Sequence, residues 1–424
     1  MNEPAAAGAP EVAGGAARPG PVPLRRNSRF RLLWIGQVLS DTGTQATLIA
    51  YPLLILALTH SAAIAGIVGT VHLAAQLVLG LPGGALADRF DRRLTMIACD
   101  SIRAAVLGLL TGLVLAHLVT WPVVLAVSII DGAASALFDP SANAALPGIV
   151  ADEQLEQAWA ATEARSYGAS LAGPTLGGFL FQLGNAVPFV GDALSYLISA
   201  GTVSRIRGQF RPERTAKRTA LWREAADGIR LVWSHRLLRA VVVQAPLVNF
   251  AFNGVIFTIT LALREHGTAP GVIGLTQAGI GAGGLLGALV APRLQGRLPL
   301  RGMVIALTVA GTALFVVAAL VLPSPLVAVP VGATLLLAPT ANAALFAAML
   351  RAAPDEMRGR VSNTVTQAAV GLAALAPLTA GLLVEHLSGQ WALATFAATI
   401  GAGAILCTVL PGLKDAGPGS AKGP

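Results

Sequence analysis

The chain has 424 residues, 54% hydrophobic and 12% charged, with a formal net charge of +8 and a mean hydropathy of +0.69. Water-soluble domains carry about 25% charged residues, so this composition excludes an ordinary soluble enzyme or binding module and places the chain in a membrane. Its length leaves room for a dozen helices of roughly 20 apolar residues, the run needed to cross a bilayer.

Residues 1–24 are Ala, Gly and Pro with almost no large apolar side chain, and they predict a disordered cytoplasmic tail. The stretch lacks the basic start and apolar centre of a secretory signal. A basic cluster, Arg25, Arg26, Arg29 and Arg31, precedes the first apolar run. Runs of spanning length predict helices at 30–58, 62–87, 94–117, 121–146, 160–184 and 186–204. Six more follow at 238–263, 270–292, 302–322, 325–350, 362–384 and 391–411. The expected units are a tail (1–24), a six-helix bundle (25–204), a basic linker (205–236), a second six-helix bundle (237–411) and a cytoplasmic tail (412–424).

The linker carries nine basic residues from Arg205 to Arg236 against Glu213, Glu224 and Asp227. Within it Leu221, Trp222, Ala225, Ile229, Val232 and Trp233 recur at helical spacing. That pattern predicts an amphipathic helix on the inner leaflet, apolar side in lipid and basic side on anionic headgroups, and not a nucleic-acid surface.

Charge placement sets the orientation. With both termini in the cytoplasm, Arg264 is the one residue of the 29 Lys and Arg in an outer loop, while Arg103 and Arg165 lie inside spans near their cytoplasmic ends. All the others fall on the inner side, as the positive-inside rule requires.

The chain also repeats itself. Pro140-Ser-Ala-Asn-Ala-Ala-Leu146 returns as Pro339-Thr-Ala-Asn-Ala-Ala-Leu345, and Gly84-Ala-Leu86 returns as Gly287-Ala-Leu289. Pro174 and Gly178 return as Pro377 and Gly381, and Asp152-Glu153 as Asp355-Glu356. Two six-helix halves in one orientation follow, joined by the linker and related by an axis along the membrane normal.

Between spans 2 and 3 a short polar turn carries Gly84-x-Leu86-x-Asp88-Arg89-x-x-Arg92-Arg93. This pattern resembles the cytoplasmic signature between helices 2 and 3 of major facilitator superfamily transporters, with Asp91 in place of the usual glycine. Pro140-x-x-x-Ala144-x-x-Pro147, Asp192-Ala193-x-Ser195-Tyr196 and Arg358-Gly359-Arg360-Val361 resemble the set shared by the enterobactin-exporter and macrolide-efflux branch. Gly173-Pro174-x-x-Gly177-Gly178 resembles the fifth-helix signature of superfamily antiporters, with Ala169 where a further upstream glycine is usual. The resemblance implies an all-α integral membrane protein of twelve transmembrane helices in two pseudo-symmetric six-helix bundles, the major facilitator fold. It further implies a bacterial cytoplasmic-membrane exporter working by alternating access and antiport.

Each motif has a physical use. Gly177 and Gly178 allow close helix approach, and Pro174 loosens the local hydrogen-bond ladder. Asp88 falls at the C-terminal end of helix 2, where the helix dipole disfavours a negative charge. It needs a cationic or helix N-terminal partner, and a contact that forms in one access state and breaks in the other would make Gly84, Asp88, Arg89, Arg92 and Arg93 a gating loop.

Ionisable and amide side chains inside spans are costly and mark function. Gln37, Asp41 and Gln45 recur every fourth residue and share one helical face, and Asn249 and Asn253 repeat that spacing 208 residues after Asp41 and Gln45. Gln37, Gln45, Asn249, Asn253 and, in span 10, Asn342 are therefore candidates to line a central cargo cavity. Asp41 and Asp131 (the latter with Ser128 and Ser135 in span 4) are the candidates for proton coupling, because a low-dielectric wall disfavours the charged carboxylate. Asp100 and Arg103, one turn apart in span 3, are expected to form a structural ion pair, and Asp192 to cap or pair. His72, His117, Cys99 and Cys407 read as ordinary core residues, without metal-ligand spacing.

No G-x-x-x-x-G-K-[ST] phosphate loop occurs, so ATP is not the direct fuel of this chain, and neither H-E-x-x-H nor G-x-S-x-G is present. The expectation is a non-enzymatic secondary transporter without metal or cofactor, driven by the proton gradient. Its partners would be a hydrophobic or amphipathic small molecule, protons and membrane lipid, with no nucleic acid, and the chain would act as a monomer. The alternatives are a siderophore or lipid-like carrier of the same fold, and a non-transporting scaffold or sensor.

Overall fold

The computed structural model describes residues 23–87, 90–206, 229–294, 300–354 and 357–409. Among these the regular structure is helical throughout. The first half comprises α1 (Ser28–Thr59), α2 (Ala62–Ala87), α3 (Arg92–Leu115), α4 (Trp121–Ala145), α5 (Leu155–Leu183) and α6 (Val187–Ser204). The second comprises α7 (Arg236–Glu265), α8 (Pro270–Leu294), α9 (Leu300–Val321), α10 (Ala328–Leu335), α11 (Ala338–Ala352), α12 (Arg358–Ala373), α13 (Ala376–His386) and α14 (Gly389–Val409). The Leu221, Trp222 and Ala225 positions of the linker, most of both tails, and Asp88 and Arg89 lie outside the described residues.

Local chemistry places the helix starts. The Asn27 side chain accepts from the backbone N–H groups of Arg29 and Phe30 and opens α1. Asp91 does the same for Arg93 and Leu94 at the start of α3. The residue standing where the superfamily has glycine is thus a helix cap. Leu24, expected in the tail, is buried beside Phe30, Leu33 and Ile206.

Ten helical segments among the described residues are long and apolar enough to cross a membrane. α5 and α6 complete the first half by packing, α5 along α1 and α6 along α1 and α3. The many small and polar residues of α5, and Asp192 within the short α6, explain why apolarity alone does not pick them out.

Two predicted spans are broken. Span 10 divides into α10 and α11, and span 11 into α12 and α13. A proline inside a helix removes one N–H and clashes with the carbonyl four residues earlier. Pro339 and Pro377 stand four residues after Leu335 and Ala373, the residues that end α10 and α12. Their repeat partners Pro140 and Pro174 lie inside the uninterrupted α4 and α5.

The halves meet along two seams that the internal repeat exchanges, α5 on α8 and α2 on α13. Gly178 abuts the Pro270 carbonyl and Gly274, and Gly381 abuts the Ala62 carbonyl and Gly66. At each seam a side chain from one half caps a helix of the other. Gln182 Oε1 accepts from Gly271 N–H at 3.3 Å, and Glu385 Oε2 accepts from Ala63 N–H at 2.7 Å and from the Ser61 hydroxyl at 2.5 Å. Both caps sit at the end of the bundle remote from the Arg92–Arg93 turn.

A carboxylate at a helix N-terminus is stabilised by the dipole, so Glu385→Ala is expected to loosen its seam. Because Glu385 is exposed, the closed-to-open ratio should fall only about 2- to 5-fold. Distances between spin labels at Leu118 and Leu387 would report it, and an unchanged distribution would deny Glu385 any part in closure.

The described end of the linker, residues 229–234, is helical. Val232 is buried against Leu238, Met349 and Val361, while Ile229 and Trp233 are exposed. The apolar spacing therefore serves two surfaces, one packed on the second half and one left outward.

Candidate functional site

The first half holds a buried polar cluster drawn from five helices. Arg103 of α3 is 3% exposed, and its Nε donates to Asp131 Oδ1 of α4 at 2.8 Å. A terminal guanidinium nitrogen donates to Thr44 Oγ1 of α1 at 3.3 Å, and the guanidinium carbon lies 4.0 Å from the centroid of the Tyr196 ring of α6. The Thr44 hydroxyl donates to Ser40 O at 2.8 Å, so in its 2.7 Å contact with Tyr196 the tyrosine is the donor. Desolvating two charges costs several kcal/mol each and is offset only when the remaining donors and acceptors are satisfied. Thr44 and Tyr196 supply that satisfaction.

This arrangement corrects the expected Asp100–Arg103 pair. Asp131 faces Arg103 directly across the α3–α4 contact, whereas Asp100 is fully buried, makes no ion pair with Arg103 within 4 Å and has Ser199 of α6 as its neighbouring polar side chain. Asp192 accepts from Ser195 at 3.0 Å, and Gly43 of α1 lies against its carboxylate, where any larger side chain would collide. The Asp192–Tyr196 motif thereby delivers two polar groups of α6 to the same cluster.

His72, read from sequence as a core residue, belongs here too. Its Nδ1 is 3.0 Å from Ser128 O and 4.0 Å from Asp131 Oδ2, and its Nε2 is 3.2 Å from Gln76 Nε2. Ser128 and Asp131 are three residues apart and share a face of α4, which was legible; that α2 presents His72 to that face was not.

Asp41, the second carboxylate candidate, is ion-paired with Arg165 of α5 at 2.9 Å and is about one-third exposed. Asp139 of α4, overlooked in the sequence, lies within coulombic reach of both. The two expected coupling acids therefore each carry an arginine partner, one pair buried and one open to its surroundings.

Between the halves lies a cavity of about 300 Å³. Leu48, Ile49, Val68, Leu73, Ile256 and Phe257 form its apolar wall, and Gln45, Tyr51, His72, Asn253, Thr260 and Gln277 contribute polar edges. Its described lining includes no Asp, Glu, Lys or Arg. Gln277 donates to Thr260 Oγ1 at 2.8 Å and to Ile256 O at 3.0 Å; Asn253 donates one amide hydrogen to Asn249 O at 2.9 Å, which leaves its second N–H and its carbonyl oxygen to offer. Of the candidate cavity residues, Gln45 and Asn253 line this space. Gln37 instead is buried in a separate pocket of about 10 Å³ with Trp34, Asn143 and Thr162. Asn249 is exposed with its amide bonded to Ala245 O at 2.9 Å, and Asn342 is exposed on α11.

The glycines of the α5 motif divide their work. Gly173 and Gly177 press on Thr42, Gln45 and Ala46 of α1, while Gly178 faces α8 across the seam. Pro174 and its repeat partner Pro377 both line the cavity. In the turn between α2 and α3, Arg92 donates to Ala144 O at 2.8 Å, and Arg93 donates to Val203 O at 3.3 Å and to Ser204 O. These carbonyls terminate α4 and α6, where a cation is favoured by the dipole. Gly84 falls in the last turns of α2.

A family model described as the Major Facilitator Superfamily matches residues 33–373. Among known proteins, the chain is similar to the multidrug efflux pump Tap of Mycobacterium tuberculosis, 26% identical over 404 residues covering 91% of this chain and 94% of that one. It is 28% identical to the enterobactin exporter EntS of Citrobacter koseri over 279 residues, 64% of this chain and 65% of that one. Among solved structures, the nucleoside transporter NupG matches with a TM-score of 0.71 at 15% identity, covering 91% of this chain and 99% of that one, a likeness of fold.

Proposed function

This chain belongs to the major facilitator superfamily, and from that premise we propose that it exports a hydrophobic or amphipathic small molecule across a bacterial cytoplasmic membrane, in exchange for protons, with both termini in the cytoplasm. The observation that carries the reading is the juxtaposition of an apolar cavity between the halves with a buried carboxylate–guanidinium pair one residue behind its wall. The cavity volume of about 300 Å³ suits a small organic molecule, since ligand pockets run from about 300 to 1,000 Å³. Walls without charged side chains favour a cargo of low charge density.

The coupling step follows from the pairing. Protonating Asp131 cancels its attraction for Arg103, and the guanidinium must then find other acceptors inside the half-bundle. A change of that size in a low-dielectric interior shifts the preferred packing of the helices that carry it. Asp41 and Arg165 form a second such pair, accessible enough to exchange protons with water. The relatives named for multidrug efflux and enterobactin export support outward movement of cargo, and the latter keeps a siderophore among the candidate cargoes.

Inside-out vesicles with an internal pH dye, challenged with a panel of antibiotics and siderophores, test the reading. Cargo-dependent proton release from acidified vesicles, lost in Asp131→Asn, is the expected result. Cargo movement without proton movement would overturn the coupling, and movement of siderophores alone would transfer the assignment to that class.

A further inference from the structure

Resting on the proton-coupled reading above, we propose that His72 carries the state of the Asp131–Arg103 pair to the cargo cavity, and that the side-chain amide of Gln76 turns over when His72 takes up a proton. His72 lines the cavity, and its Nδ1 lies 4.0 Å from the Asp131 carboxylate. Tyr51 lines the cavity beside it and its hydroxyl is directed at the same carboxylate, while Arg103 and Asp131 themselves lie behind this wall.

Hydrogen bonding specifies the state of the ring. A carbonyl oxygen can only accept, so the 3.0 Å contact with Ser128 O places a hydrogen on Nδ1. Gln76 presents its amide nitrogen to Nε2 at 3.2 Å, and an amide nitrogen can only donate, so Nε2 carries the lone pair. The ring is therefore neutral in this state. In the imidazolium both nitrogens are donors, and the contact survives only if Gln76 rotates to offer Oε1. The proton comes from water and adds to the Nε2 lone pair; no bond other than the new N–H forms.

The surroundings make His72 the group that would report such an event. From α1 it faces the Tyr51 ring, with centroids 6.1 Å apart. From α4 it faces Asp131 and the Ser128 carbonyl, and through Asp131 it meets Arg103 of α3. On α2 its neighbour is Gln76, and one turn away Gly69 meets Phe257 of α7 and Pro377 of α13, neither titratable. Gly132 packs against the His72 carbonyl and Nδ1, so the α2–α4 crossing holds the ring in place. A positive charge on this ring would compete with Arg103 for Asp131 and at the same time face a cavity whose described lining carries no charged side chain. Proton and apolar cargo then exclude one another, which is what exchange requires.

The test uses the full-length protein in lipid nanodiscs with ¹⁵N-labelled histidine and glutamine side chains. The His72 resonances, identified by their loss in His72→Gln, are expected to pass from the neutral Nδ1–H form to the imidazolium on acidification. The Gln76 side-chain signal should move in parallel, and Asp131→Asn should displace the midpoint, since it removes the charge nearest the ring. A ring that keeps one form throughout, or a midpoint indifferent to Asp131, overturns the proposal. In vesicles, Gln76→Met, which leaves His72 in place, should still move the compound that the wild type moves but with a flattened pH dependence. If the wild type moves cargo without protons, the coupled reading fails; if the wild type couples and Gln76→Met keeps its pH profile, only the role of His72 fails.

Discussion

Replacing Arg103 with leucine is expected to destabilise the protein by about 3–5 kcal/mol, the usual cost of stranding one partner of a buried pair, and to abolish coupled transport. Asp131 is 1% exposed, so its carboxylate would be left in the half-bundle without a counter-charge. Thr44 would lose one of its two donors, and Tyr196 the cation over its ring. The companion double variant Arg103→Leu/Asp131→Leu separates the two consequences. Replacing a whole buried pair by apolar residues is often neutral or stabilising, so most of the stability should return while proton movement does not. Thermal unfolding in detergent and the vesicle assay together check this. Equal instability of the single and double variants would mean that the pair is not what Arg103 contributes. Arg103→Lys keeps the charge but not the planar fork that reaches Asp131 and Thr44 together, and an intermediate phenotype is expected.

Gly178→Leu is expected to prevent closure of the α5–α8 seam. The position of the missing side chain is occupied by backbone, the Pro270 carbonyl and Gly274, and backbone cannot rotate aside as a side chain can. Overpacking of this kind costs typically 1–3 kcal/mol, enough to shift a two-state equilibrium by about 5- to 150-fold. Alternating access needs both ends to close in turn, so export should fall by at least about fivefold while expression and helix content persist. Gly381→Leu, which meets the Ala62 carbonyl and Gly66 at the other seam, should behave alike. Gly177→Leu presses instead on Ala46 of α1, within one half, and should cost folding stability before it changes access. A Gly178→Leu protein that exports normally would show that this seam need not close.

Glycine and proline pairs bring backbones of opposite halves together at one end, and in the exchange proposed above the polar side chains behind the cavity wall would supply a charge-dependent reason for them to separate. Gln182 and Glu385 stand at repeat-related positions and cap opposite helices, yet one is neutral and one charged. The repeat has kept the geometry and varied the chemistry.

What the sequence determined by itself was everything that depends on order along the chain. Apolar runs of spanning length, the concentration of arginine in alternate loops, the twofold repetition and the glycine–proline motif are local or periodic properties, and the apolar runs located most helices to within a few residues. α5 shows the edge of that power: its start, Leu155, lies five residues before the predicted one because its first turns, though rich in helix formers, are polar and fall outside the apolar run that marked the span. The tertiary structure alone decided who meets whom. Arg103 has Asp100 one turn away and Asp131 on another helix, and the pairing went to Asp131 because the helix crossing aims the two together. His72 carried no signal along the chain, since its meaning comes from Ser128 and Asp131, more than fifty residues later. Pro140 and Pro174 leave their helices intact while Pro339 and Pro377 break theirs. The residue is the same in each pair, so the difference lies in how far the neighbouring helices let the chain relax.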